Sequence, residues 1–307
     1  MRVLVRTAAL ILAASMLSIG SYALSDNLAP ILGDKQLYTV QNVPVWGCVE
    51  QYDPDGDPVK LSIVQESKKG MVTLYDTTFV YRPYADEMGD DVFTIVAADT
   101  AGNFSRQAAI TVQIQPNKMG AGFSDMRLHP SHYSALMLAQ SGVVSGEMVG
   151  ETLLFRPEQQ LSQADFMIMV LAAVGTQEEL APCVSTSLAN DKEIALWLKP
   201  YLQSAKQKGL IGAGEFHANR IITRSEAVEL ISRASGMEDV EAQAMHIRDL
   251  EQIPPTSLQS YLNLAALNML NLYDGNARPN EPLTRAAAAD LIWQLYRYRQ
   301  EQAALKP

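Results

Sequence analysis

Between Leu37 and Gln115 apolar and polar residues alternate in short runs separated by turn formers. VPVWGCVEQY, VKLSIVQE, MVTLYD, TTFVYRPY, DVFTIVAAD and RQAAITVQIQ are rich in Val, Ile, Thr, Tyr and Phe, while DPDGDP, SKKG and TAGN stand between them. Period-two alternation bounded by Asp, Gly, Pro and Asn predicts half-buried antiparallel strands. About seven such strands suit a β-sandwich. In one run Phe93, Ile95 and Ala97 should face one side and Val92, Thr94 and Val96 the other. From Phe123 onward the period lengthens to 3.6, as in ADFMIMVLAAVG, EAVELISRASG and LQSYLNLAALNML, which predicts a second domain of amphipathic helices. The stretch from Pro116 to Gly122 links the two.

The helical half repeats itself. FRPEQQLSQADFMIMVLAAVG, FHANRIITRSEAVELISRASG and ARPNEPLTRAAAADLIWQLY align without gaps, with Leu161, Ile222 and Leu283 at intervals of 61 and Ser162, Thr223 and Thr284 one place later. Another helix ending at a turn lies upstream of each, so the unit is helix, glycine-containing loop, helix. In ITRSE, Thr223 fits the N-cap and Glu226 the N3 position of a reciprocal capping box. Arg224 at N1 is then expected to point outward. Together with the helix's remaining N–H groups and its positive dipole end, it would make a site for a carboxylate or phosphate. The plainer alternative is a common helix start with a solvated arginine. The third copy keeps Thr284 and Arg285 but has Ala287 where the box needs Glu. The first has Ser162, Gln163, Ala164 and Asp165, a cap and an acid without an arginine. Trp197, Tyr201, Tyr261, Trp293 and Tyr296 fall on helical stripes and are expected in the core.

The chain opens with Arg2 and Arg6, an apolar run, and small residues at Ser21 and Ala23. This reads as an export signal cut after Ala23. The alternative, a retained membrane anchor, meets an apolar run shorter than the ~20 residues a span needs. Cleavage would leave a soluble chain without a membrane span, secreted to the cell wall or cell surface. Losing Arg2 and Arg6 would also take the net charge from −10 to −12. That balance speaks against nucleic acid as a partner, since phosphate binding wants a basic surface.

Catalytic chemistry finds no purchase. There is no G-x-S-x-G elbow, H-E-x-x-H pair, P-loop or dinucleotide fingerprint, so the chain is read as no enzyme. Cys48 and Cys183 are too few for a disulfide framework, and the geometry of a bond between them is demanding. Of the histidines His129, His132, His217 and His246, only the HPSH pair has a helical spacing, and Pro130 discourages a metal-binding helix there.

Two resemblances add to this reading. DPDGDPVKLSIV followed by KGMVTLYDTTFVYRPYADEMGDDVFTIVAADTAGN resembles a bacterial cadherin-like or immunoglobulin-like module, which implies a spacer or adhesive sandwich. Asp53, Asp55 and Asp57 alternate around Gly56, and with Asp99 as helper they are candidate calcium ligands. A solvated acidic turn is the alternative, and Val64 stands where an EF-hand needs Glu. No other cofactor is required. The helical repeats, with FSDM at Phe123, IRDL at Ile247 and the ITRSE tetrapeptide, resemble S-layer homology domains. That resemblance implies an all-α region of three repeats in a pseudo-threefold bundle, whose tetrapeptide arginines line grooves for anionic, often pyruvylated, secondary cell-wall polysaccharide. Carried over residue by residue, Arg224, Arg285, Thr223, Thr284 and Glu226 are the polysaccharide-binding candidates.

The expected organisation is a signal peptide over 1–23, a linker over 24–36 and the sandwich over 37–115. A second linker then spans 116–122, the repeats span 123–175, 176–236 and 237–299, and a tail spans 300–307. The expected function is a non-catalytic surface protein held to wall polymer by its repeats. The alternative is a scaffold whose degenerate repeats bind other surface proteins.

Overall fold

The computed structural model describes residues 27–305 apart from 50, 77, 121, 176–179, 242–246 and 274. The export-signal segment and His246 lie outside the described residues. An N-terminal β-sandwich is followed by a helical part with six helices.

Strand structure begins earlier than the pattern implies. β1 (Ile31–Leu32) falls inside the stretch read as a linker and β2 (Lys35–Val40) begins in it, and Leu32 is fully buried. Then come β3 (Val45–Cys48), β4 (Gln51–Tyr52), β5 (Lys60–Gln65), β6 (Gly70–Tyr75), β7 (Thr78–Pro83), β8 (Gly89–Ala98) and β9 (Ala108–Gln115). One sheet runs β2-β9-β8-β5 and the facing sheet β3-β7-β6, with β1 and β4 as a small separate pair. β2 lies parallel to β9, and the other pairs are antiparallel. Phe93, Ile95 and Ala97 point inward, as the alternation requires, and meet Ile110, Val112, Phe79 and Tyr81. Phe79 stands edge-on to Phe93 at 5.2 Å. Gly47 lies so close beneath the Phe79 ring that any side chain there would overlap it.

One buried polar group ties the two sheets together. Asp91, 6% exposed, accepts the backbone N–H of Lys68, Lys69 and Val92 and the hydroxyl of Tyr81, all within 3.0 Å. Burial alone would raise its pKa, but these four donors outweigh burial and hold it below the ordinary carboxylate value. Burial, and then the Asp91 carboxylate, push the Tyr81 hydroxyl far up.

The helical part contains α1 (His132–Gln140), a hairpin of β10 (Glu147–Val149) and β11 (Thr152–Leu154), α2 (Gln163–Ala173) and α3 (Lys199–Gln207). α4 (Arg224–Ser235), α5 (Leu258–Ala266) and α6 (Arg285–Ala304) complete it. α6 runs through most of the stretch read as a tail and packs on α1, α2 and α4. The two halves are not independent bodies on a string. Val40 and Val43 enter the helical core, Tyr38 stacks on Tyr133, Arg297 lies over Tyr38, and the Trp46 indole donates to the Leu128 carbonyl.

Candidate functional site

Each second helix of the repeat starts at a centre built by backbone bonding. The N–H of Leu161 donates to the carbonyl of Leu283 at 3.0 Å, that of Leu283 to Ile222 at 2.9 Å, and that of Ile222 to Leu161 at 3.0 Å. These three hydrogen bonds form a closed ring among residues spaced by 61, and all three side chains are buried. The next residue in each copy is an extended N-cap whose hydroxyl accepts an N–H three places on: Ser162 from Asp165, Thr223 from Glu226, and Thr284 from Ala287. The box is reciprocal in the first two copies. In the third, Ala287 has no acceptor to return, so only the hydroxyl half forms.

The first two helical N–H groups of each copy are spent as well. Gln163 and Ala164 donate to Arg220 and Ala218, Arg224 and Ser225 to Glu281 and Pro279, and Arg285 and Ala286 to Gln159 and Pro157. Every acceptor lies in the neighbouring copy at the same 61-residue interval. The expected anion site at the helix N-terminus is therefore not formed. Its N–H donors are already paired with loop carbonyls, which also neutralise most of the exposed dipole end.

The two arginines behave differently from that expectation and from each other. Arg224 points inward and is 7% exposed. Its Nε donates to the Ala277 carbonyl at 3.0 Å and an Nη to that of Asn271 at 3.2 Å, while the guanidinium lies 4.4 Å from the Tyr273 ring centre. It fastens the second copy to the third. Arg285 fastens the third copy to the first by donating to the Ser145 carbonyl at 2.6 Å and stacking on Phe155 at 4.8 Å. It stays partly accessible and its buried Nε has no partner among the described residues. Burial lowers its pKa, against the pull of Asp165, Asp125 and Glu147. The two guanidinium groups stand on different seams and do not flank one cleft.

The groove beside Arg224, about 350 Å³, is lined by His129, Glu158, Tyr273, Arg278 and Glu281 among others. Acids stand beside its outer basic side chains: Glu158 lies 3.7 Å from the His129 ring and Glu281 3.8 Å from the Arg278 guanidinium. On the remaining seam, where Gln163 replaces the arginine, a groove of about 260 Å³ has the apolar floor Met167, Leu210 and Phe216. Glu226 serves no groove as a free acid. Burial would raise its pKa, but Arg220 and the N–H of Thr223 hold it below the ordinary value.

A second repeated device lacks even spacing in the sequence. Asp125 accepts the N–H groups of Phe155 and Arg156, and Asp249 those of Ala277 and Arg278. In the middle copy Asn190 takes the role, accepting from Phe216 and donating back to it. Among the aromatic residues assigned to the core, Tyr261 is 1% and Trp293 8% exposed, whereas Trp197 is 62% exposed. Pro200 fixes the start of α3 at Lys199, so Trp197 falls in the short 3-10 turn before the helix and escapes the stripe.

The aspartates of the sandwich turn do not converge as ligands. Asp53 Oδ1 accepts the N–H of both Asp55 and Asp57, and Asp55 Oδ2 accepts that of Leu28. Asp99 is held by Asn103 and Asn27. Among the described residues no three His, Cys, Asp or Glu side chains are grouped to hold a metal ion, although the second oxygen of Asp53 is buried without a partner. Both cysteines are free.

Residues 27–114 match the family model of the bacterial Ig domain, and no S-layer homology domain is detected. No curated protein matches the chain. Among solved structures, an endo-fucoidan hydrolase from glycoside hydrolase family 107 is 17% identical over 30% of this chain, with a TM-score of 0.24. The alignment spans only 14% of that hydrolase. The SrpA adhesin of Streptococcus sanguinis is 16% identical over 33% of this chain and 63% of its own, with a TM-score of 0.23. A SusE-like surface-located polysaccharide-binding protein from the Bacteroides thetaiotaomicron heparin utilisation locus is 20% identical over 30% of this chain and 15% of its own, with a TM-score of 0.22. No helix among the described residues is long and apolar enough to cross a membrane.

Proposed function

We propose that the chain is an exported, non-catalytic surface protein whose three helical repeats act as a degenerate S-layer homology unit. In this reading the repeats hold anionic secondary cell-wall polysaccharide, and the Ig-like sandwich serves as spacer or adhesion module. The observation that supports it is the closed ring of Leu161, Ile222 and Leu283, because a threefold arrangement of repeats leaves three seams along which a polymer can lie. Arg285, the more accessible of the two tetrapeptide arginines, makes the polymer contact; Arg224 holds the frame. A scaffold that binds another surface protein is the second reading, favoured by the inward use of Arg224 and the acid-matched groove beside it. Co-sedimentation separates them. The first reading expects retention on purified cell wall that vanishes when the wall is stripped of its secondary polymer, and the second expects no difference between the two.

Calcium is a separate question for the sandwich. Because the turn carboxylates already serve backbone donors, EDTA is expected to leave the melting temperature of the sandwich unchanged. A rise on adding calcium would assign the orphaned Asp53 oxygen to the ion.

A further inference from the structure

The largest of the cavities described above and below lies not on a repeat seam but between the halves. It measures about 470 Å³ and is walled by Arg82 of the sandwich, the linker residues Gly120 and Gly122, and Ser124, Arg127 and His132 of the helical part. That size suits a sugar-sized ligand. In a chain of net charge −10, no described carboxylate lines it. Neither arginine side chain makes a hydrogen bond, ion pair or ring contact among the described residues, in contrast to those of Arg224 and Arg285. His132 at the wall is 5% exposed, and neither of its ring nitrogens has a partner. A buried imidazole with both nitrogens idle is costly unless something fills the space in front of it. Burial, then the neighbouring His129, push its pKa down to about 4, so the ring is neutral and offers one N–H donor and one acceptor. Leu128, also lining the cleft, has a positive φ of 62°, a strained conformation for a bulky residue.

We propose that this interdomain cleft is a binding site for a small oxyanion, a carboxylate or phosphate carried on a sugar-sized body. Arg82 and Arg127 clamp the charge from opposite halves, and His132 donates its ring N–H or accepts a ligand hydroxyl. A guanidinium from each half on one anion gives a bidentate clamp. Because the ligand touches both halves, binding stiffens the sandwich against the helical part. This site does not depend on the wall-anchoring reading, since it uses none of the seam residues.

The test uses the full chain with sodium glucuronate and inorganic phosphate as probes, followed by calorimetry and by NMR of the histidine rings. The proposal expects saturable binding of at least one probe with a shift of the His132 signals. Preference for glucuronate assigns the charge to a sugar acid, and preference for phosphate assigns it to a phosphoryl group. Arg82→Ala combined with Arg127→Ala, one half-buried and one exposed side chain outside the hydrophobic core, should weaken binding roughly tenfold or more. Arg106→Ala, an exposed substitution outside the cleft, should leave it unchanged. No binding of either probe, or binding that survives the double substitution, would overturn the proposal.

Discussion

Arg224→Ala is expected to lower the stability of the chain by about 2–4 kcal/mol. The substitution removes a buried cation whose hydrogen bonds reach the Ala277 and Asn271 carbonyls, and it takes away the partner of the Tyr273 ring. The carbonyls stay behind, poorly solvated, on the seam between the second and third copies. Arg224→Lys should recover less than half of the loss, because an ammonium cannot reach two carbonyls and stack on a ring at once. Arg285→Ala, on a partly open seam with one backbone contact, should cost about 1 kcal/mol or less. Urea titrations of the three variants measure these differences directly. Equal, small losses for Arg224→Ala and Arg285→Ala would mean that Arg224 is not the fastening described here.

Asp91→Ala should be at least as damaging, about 3–4 kcal/mol, and should act on the sandwich. Four donors would lose their acceptor at once, including the hydroxyl of Tyr81, a residue with no exposed surface. The same carboxylate gives the sandwich an acid-sensitive component. Its pKa is depressed in the folded chain, so its stabilisation is complete above the ordinary unfolded value of about 3.9 and is lost as pH falls through the lower folded value. Melting temperatures followed from pH 6 downward should fall less steeply for Asp91→Ala than for the wild type. Parallel acid slopes would place the acid sensitivity on other carboxylates.

The sandwich was legible because its signal is local. Alternation in DVFTIVAAD and in RQAAITVQIQ states which residues turn inward, and Phe93, Ile95, Ile110 and Val112 do so. The repeat was legible because Leu161, Ile222 and Leu283 recur at a constant interval, and the ring of backbone bonds uses that same interval. Side-chain direction was not legible. Whether Arg224 points to solvent depends on Tyr273 and the Ala277 carbonyl about fifty residues downstream, and nothing in the local sequence around Arg224 announces that contact. FSDM and IRDL carry Asp125 and Asp249, but the clamp role and its Asn190 counterpart were not legible, because the three sit 30, 26 and 28 residues before the N–H groups they hold and an ungapped comparison misaligns them. The interdomain cleft could not be seen at all, since Arg82, Arg127 and His132 become neighbours only when the halves pack.

The proposed function requires the repeats to hold anionic wall polymer, with Arg285 making the contact while Arg224 builds the frame. It is tested most directly by the retention of Arg285→Ala on purified, polymer-bearing cell wall, measured on protein shown by its melting curve to be folded. The expected result is a drop of roughly tenfold in retained protein with a stability loss of no more than about 1 kcal/mol, as befits the loss of a charge-assisted bond. Wild-type retention by this variant would contradict it.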